Sequence, residues 1–341
     1  MEWAKRVAAS VPRWKAGSVS DRATTLQTFD AGAGGYAAVQ AWRSLAGTRA
    51  TVERIDVLKE TSKTAVYRIY GVNSGGPPVV AKRRRHDAIQ YERGIYERVL
   101  PLLSVSALAY HGCLPADADN SWIFLEDSRG AELDYKSPDH MAAATRWLAA
   151  AHVTGSTGVL SAASLPDRGS DHYLRHLRNA NETLARHLTN PALTSDDVAL
   201  LESVRELLFL LEERWPGIEA FCAVLPQTFS HGDFVQKNVH VRESCDELVV
   251  LPFDWETSGW GIPAADLTRV DFELYWSIVG DAWPQVRIED ARRMVSLGTM
   301  FRLLAAISWE APSFRASWVK RAAMKMNLYR DRLSDAMCAW G

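Results

Sequence analysis

His231-Gly232-Asp233-Phe234-Val235-Gln236-Lys237-Asn238, followed sixteen residues later by Asp254-Trp255-Glu256, is the stretch on which the reading of this chain turns. The second acid closes an apolar run, Leu248-Val249-Val250-Leu251-Pro252-Phe253, that has the composition of a strand. Asp233, Asn238 and Asp254 thus bring three oxygen-bearing side chains to two loops. Moving a γ-phosphoryl group asks a protein for a carboxylate that takes the acceptor's proton, hard oxygen ligands for Mg2+, and a cation on the phosphates. Asp233 suits the first task as catalytic base. Asn238 and Asp254 suit the second as metal ligands, one a neutral carbonyl oxygen and one a carboxylate. His231 reads as a residue that fixes the loop backbone, because a lone histidine is more often structural than a proton carrier. Glu256 stays open between a contact to metal or substrate and a solvated role.

The joint pattern is far more specific than its parts, since it demands His-Gly before the first acid and a strand-like run before the second. It resembles the aminoglycoside phosphotransferase and choline kinase family, in which HGDxxxxN and a following D-W-E mark the catalytic and metal-binding loops. The similarity continues through Gly259-Trp260-Gly261-Ile262-Pro263-Ala264-Ala265-Asp266-Leu267. The resemblance implies a protein-kinase-like α+β fold of two lobes, an antiparallel sheet with one helix and then a mostly helical part. It also implies ATP as co-substrate and Mg2+ as cofactor. Lys82, at the end of Val79-Val80-Ala81, resembles the lysine that such enzymes place on the α- and β-phosphates; the other reading makes it one member of the solvated run Lys82-Arg83-Arg84-Arg85-His86. Its acid partner is Glu92 or Glu97, and the Tyr91-to-Pro101 pattern of the family favours Glu92. Asp266 matches an acid that braces the catalytic loop, although a helix N-cap explains an Asp there equally well. Leu125, Glu126 and Asp127 match the segment whose backbone groups hold adenine. The chain departs from the family at 59–67, a loop without glycine, where Ser62, Lys63 and Thr64 would have to meet phosphate.

The rest of the chain fits that layout. Short β-branched and aromatic stretches at 52–58, 65–72, 79–82 and 121–126 read as strands, with Gly75-Gly76-Pro77-Pro78 as a turn. Residues 87–100 read as a helix, with Ala88, Tyr91, Ile95 and Val99 spaced by three and four and Pro101 closing it. Beyond Pro138 helices are expected at 139–153, 170–188, 195–213, 264–279, 287–308 and 314–338. Near the start, 36–45 looks helical with Gly47 as its stop. Gly32-Ala33-Gly34-Gly35 lacks the spacing of a phosphate loop and reads as a flexible entry to that helix. The expected division is an N-terminal helical extension (1–50), a nucleotide-binding lobe (51–126), a hinge (127–137) and a helical lobe carrying the catalytic and metal loops (138–341).

Composition narrows the partners. A length of 341 residues holds two lobes, and a net charge of −2 gives no field that would draw nucleic acid or an anionic membrane. No apolar run reaches the roughly 18 residues needed to span a bilayer, and Met1-Glu2-Trp3-Ala4-Lys5 lacks the build of a secretory signal. Cys113, Cys222, Cys245 and Cys338 are scattered, which fits a reduced, cytoplasmic enzyme without a zinc site. Only about a dozen residues separate Asp254 from Asp266, and Asp-Phe-Gly and Ala-Pro-Glu are both missing, so the acceptor is expected to be small rather than a peptide. The resemblance places acceptor selectivity in the helices after the metal loop, 264–285, where Asp266, Asp271, Glu273 and Asp281 with Tyr275, Trp276 and Trp283 suit a polar or cationic acceptor; an ordinary amphipathic helix explains them equally well. An aminoglycoside-like antibiotic, a sugar, a nucleoside and a choline-like amine all fit. The rival reading is a kinase-fold binding module without turnover, for which the glycine-free loop speaks.

Overall fold

The computed structural model describes residues 28–30, 36–47, 52–72, 77–245 and 247–340. The Gly32-to-Gly35 segment and the Gly75-Gly76 turn lie outside them. The chain forms two compact units, one of residues up to Ile89 together with His111–Asp127, the other of Gln90–Tyr110 together with Ser128 onward. Residues 90–110, assigned from the sequence to the nucleotide-binding lobe, are thus counted with the second unit. Tyr96 explains why: it is buried there against Trp255, ring centroids 6.4 Å apart.

The first unit is a six-stranded sheet ordered β1-β2-β3-β4-β6-β5, built from Thr28–Asp30, Arg54–Glu60, Ala65–Tyr70, Val79–Arg85, Tyr110–Pro115 (β5) and Asn120–Glu126 (β6). Alternation explains which side each residue takes. In β4, Val79 and Ala81 are buried in a core with Tyr67, Trp122 and Phe124, while Lys82 falls on the other face, opposite Val66 and Ile123. Helix α1 (Ala37–Ala46) closes that core through Ala38, Val39, Ala41 and Trp42, and Gly47 ends it at φ 93°. The strands at 28–30 and 110–115 were not expected from the sequence.

The second unit is mostly helical: α2 (His86–Gly94) begins at its boundary, and α3 (Pro138–Thr154), α4 (Ser170–His187), α5 (Ser195–Glu213), α6 (Trp215–Ala223), α7 (Phe272–Val279), α8 (Ile288–Glu310) and α9 (Lys320–Trp340) follow. Helix α2 runs on as a π turn (Ile95–Val99) and a 3-10 turn (Leu100–Leu102), so the single helix expected over 87–100 changes pitch halfway. The helix expected over 264–279 is likewise two pieces, a 3-10 segment (Pro263–Arg269) and α7, with extended Val270 between them. The core joins α4, α5, α8 and α9, with Tyr173 stacked on Phe301 at 3.9 Å. Gly298 lets α8 touch the 263–269 turn: a Cβ there would lie 1.8 Å from the Ala264 carbonyl oxygen. Two small sheets carry the signature loops, β10-β9-β7 (Glu247–Pro252, Val239–Ser244, Ala131–Glu132) and β11-β8 (Gly259–Gly261, Thr228–Ser230).

Candidate active site

Both signature loops run between the same two sheets. Residues 231–238 leave β8 and enter β9; residues 253–258 leave β10 and enter β11, and β9 pairs with β10 as β8 pairs with β11. The Phe253 N–H donates to the Asn238 carbonyl at 3.0 Å, which seats Asp254 beside Asn238 along the backbone. Asp254 is left-handed (φ 65°, ψ 62°), a conformation Asp tolerates better than most residues. Between the loops, Gly232 has φ 75° and its missing Cβ would meet the Thr257 carbonyl oxygen at 2.5 Å, so the Gly of the His-Gly-Asp signature is a steric demand.

Asp266 holds this loop by its backbone. Its carboxylate accepts from the N–H of His231 at 2.7 Å and of Gly232 at 2.8 Å, and lies 3.4 Å from His152 Nε2. It is buried, and burial alone would raise its pKa; the hydrogen bond and charge of His152 with the His231 contacts outweigh that and hold it below the usual carboxylate range. The N-cap alternative is thereby replaced by the brace. His231 is buried against Trp255, ring centroids 4.6 Å apart. Its Nε2 lies 3.1 Å from the Phe253 carbonyl and its Nδ1 accepts from Asp233 N–H at 3.3 Å, contacts that assign the proton to Nε2. Burial lowers its pKa despite the nearby Asp266, Asp233 and Asp254, so the ring is a neutral tie between the two loops.

Asp233 is gripped on both oxygens. Asn238 Nδ2 donates to Oδ2 at 2.8 Å and to the Asp233 carbonyl at 3.0 Å. Arg302, from α8, donates to Oδ1 at 2.7 Å and to the Gly232 carbonyl at 3.2 Å. Lys237 Nζ lies 3.5 Å from Oδ2. Arg302 was missed from the sequence: it stands 69 residues downstream, and only its helical spacing of four from Gly298 hinted that it shares the face turned to this loop. Arg168 was missed as well. Its guanidinium donates to the carbonyls of Ser258 (3.0 Å) and Glu256 (3.2 Å), while Gly259 and Gly261 leave room for the 166–169 backbone beside β11. Glu256 is exposed and contributes its carbonyl to this bracing.

The other expected residues stand as follows. Glu97 is exposed and ion-paired to Arg93 at 2.9 Å, whereas Glu92 is buried, so the two competitors differ sharply in setting. Asp127 is committed within the first unit: Arg68 pairs with its carboxylate at 3.0 Å and its N–H donates to the Pro78 carbonyl at 3.1 Å. Leu125 and Glu126 lie in β6 opposite Val80 and Val79. The glycine-free loop is a tight turn in which Thr61 Oγ1 accepts from Thr64 N–H (3.0 Å) and Lys63 N–H (3.3 Å), a hydroxyl doing locally what a turn residue does. In the segment expected to receive a cationic acceptor, most acids and aromatics have other work. Asp266 is the brace, Asp271 caps α7, Glu273 pairs with Arg292 at 3.0 Å, Tyr275 is buried on His152, and Trp283 is buried with its N–H on Ser156.

A family model described as the phosphotransferase enzyme family matches residues 57–293. Among solved structures, the GDP complex of the F108L mutant of aminoglycoside 2'-phosphotransferase-IIIa is similar over 89% of this chain and 98% of its own, at 16% identity and a TM-score of 0.63. Choline kinase from Cryptosporidium parvum Iowa II is similar over 84% of this chain and 90% of its own, at 14% identity and 0.57. A spectinomycin phosphotransferase in complex with ADP and spectinomycin covers 84% and 94%, at 8% identity and 0.58. At such identities the likeness is one of fold, and it bears out the α+β, protein-kinase-like architecture expected from the sequence. No curated protein sequence matches this chain.

Proposed function

The chain belongs to the phosphotransferase enzyme family, and from that premise we propose that it transfers the γ-phosphoryl group of ATP to a hydroxyl of a small polar molecule, with Asp233 as base. The acceptor oxygen attacks the γ-phosphorus, the bond to the β–γ bridging oxygen breaks, ADP leaves, and the hydroxyl proton passes to Asp233. The observation that carries this reading is the double grip on Asp233: with Asn238 and Arg302 donating to its two oxygens the carboxylate is fixed in direction. A carboxylate fixed in direction is what aligning an acceptor for in-line attack requires.

The loop residues suit Mg2+. Asn238 spends both amide hydrogens on Asp233, which leaves its carbonyl oxygen for a hard cation, and Asp254, on the loop that the Phe253 N–H ties to Asn238, would add a carboxylate. No group of three His, Cys, Asp or Glu able to hold a metal occurs among the described residues; one carboxylate with an amide oxygen is the sparse set Mg2+ takes when phosphates and water complete its shell. Asn238 and Asp254 would hold such an ion, which would supply positive charge against the phosphates. Lys82 on the α- and β-phosphates, Glu92 as its acid, the backbone of Leu125 and Glu126, and the carbonyl of Asp127 complete the proposed nucleotide contacts. The burial of Glu92 and the surface pairing of Glu97 support that choice. No helix among the described residues is long and apolar enough to cross a membrane, and the cytoplasm is the compartment we assign.

The Thr61–Thr64 turn favours one second reading, a fold that binds nucleotide without turnover, because it lacks the glycines that admit phosphate closely. Thermal unfolding with ATP, with and without Mg2+, separates the two. A metal-dependent rise in melting temperature with slow ATP hydrolysis is expected; a ligand at a hundred times its Kd adds about 2.7 kcal/mol. A rise that ignores Mg2+, without hydrolysis, supports the binding module instead.

A further inference from the structure

Positive charge gathers beside Asp233. Arg302 lies 2.7 Å from one carboxylate oxygen and Lys237 3.5 Å from the other. In the same loop, Gln236 donates its backbone N–H to the Tyr135 hydroxyl at 2.9 Å. Over the Tyr135 ring sits Arg269, its guanidinium carbon 4.8 Å from the centroid. A short path through Tyr135 therefore links the base to a second half-buried guanidinium, carried by the same 263–269 turn that bears Asp266. Arg332 on α9 belongs to the group: Arg269 is held below the usual arginine range by burial first and then by the like charges of Arg332 and Arg302. The acids of this neighbourhood include Asp233 itself, Glu132, which accepts from the Gln236 side chain at 3.2 Å, Asp134 next to Tyr135 in the chain, and Asp271, two residues past Arg269, whose carboxylate caps α7.

This setting opposes the cationic acceptor suggested by composition. An ammonium-bearing alcohol offering its hydroxyl to Asp233 would bring its charge up to guanidinium groups in a partly desolvated place, where like charges repel strongly. A guanidinium fork instead matches the paired oxygens of a carboxylate or phosphate. We infer that the acceptor is an anionic alcohol, one bearing a carboxylate or phosphate that Arg269 and Arg302 receive while its hydroxyl faces Asp233. This rests on the reading of Asp233 as the base of a small-molecule kinase.

The test divides a cell extract by ion exchange into cationic, neutral and anionic small molecules. Each pool is incubated with the full-length protein, Mg2+ and ATP labelled on its γ-phosphorus. Labelled product other than inorganic phosphate is expected from the anionic pool alone. Prior treatment of that pool with a phosphatase tells the two sources apart: a phosphate-bearing acceptor loses the signal and a carboxylate-bearing one keeps it. Label in the cationic or neutral pool overturns the inference and leaves the kinase reading standing. Label in no pool overturns the kinase reading, and the inference with it. With the acceptor in hand, Arg269→Gln should raise its KM roughly tenfold or more with a much smaller effect on kcat, the size expected for one lost charge-assisted hydrogen bond. Arg269→Lys, which keeps the charge and guards against a folding defect, should recover part of that loss. An acceptor KM unmoved in both variants would overturn the role given to Arg269.

Discussion

Asp233 is where a single atom matters most. Asp233→Asn keeps the shape and the partnership with Asn238 but removes the charge that Arg302 holds and the site that takes the proton. Phosphoryl transfer should drop by ~10²–10⁴-fold, the usual worth of a positioned general base. The Mg2+-dependent thermal shift by ATP should stay near the parent's, since Asn238 and Asp254 are untouched; a variant with normal turnover would remove the base assignment. At this scale the sequence announced the residues whose spacing along the chain is itself the signal: His231, Asp233, Asn238 and Asp254. Arg302 and Arg168 were illegible because an arginine on a helix or loop has no local signature, and its role arises only when distant segments meet.

Elements were legible where periodicity was strong, as in α3, α4 and α5, and blurred where tertiary contact overrides it. Helix α6 was not among the expected elements; Pro216 sits in its first turn, where a proline loses no helical hydrogen bond. The 264–279 helix is split because the 263–269 turn must present Asp266 to the His231 and Gly232 N–H groups while its backbone lies against α8. Gly298 makes that approach, so Gly298→Ala should force the two elements apart. Overpacking a core costs about 1–3 kcal/mol, and a backbone carbonyl yields less readily than a side chain. A fall of several degrees in melting temperature is expected, at about 2–4 °C per kcal/mol, together with lost turnover. A variant with parental melting and kinetics would show that the contact at Ala264 relaxes freely.

For the molecule as a whole, burial governs the response to acid. Among the described residues His111, His172, His176, His187 and His231 all bind protons less readily than a free imidazole, with burial the first cause in each. His172 is pulled down to about 3 by burial and then by Arg168, His176 and Arg175. Folded pKa values below the unfolded one mean that the unfolded chain takes up more protons as pH falls. Their stabilising contribution is therefore complete above about pH 6.5 and shrinks as pH drops toward the folded value, near 3 for His172. Each such proton contributes a slope of up to about 1.4 kcal/mol per pH unit. Melting temperature should decline steadily from pH 7 to pH 4, and His172→Asn should flatten the decline. A melting temperature independent of pH over that range would contradict this. Composition announced an ordinary globule with room for two units, but not that a tyrosine and a tryptophan, Tyr96 and Trp255, would draw residues 90–110 into the helical one.

With no side chain at 298, main chain rests directly on main chain, and such a joint has no slack to absorb thermal motion. Asp266 and Arg302 reach the catalytic turn from either side of it, so a shift at this joint is expected to disturb both grips together. Opening at this joint would loosen the catalytic turn from two directions, and amide exchange over 263–269 and the adjoining face of α8 is the measurement that would record it.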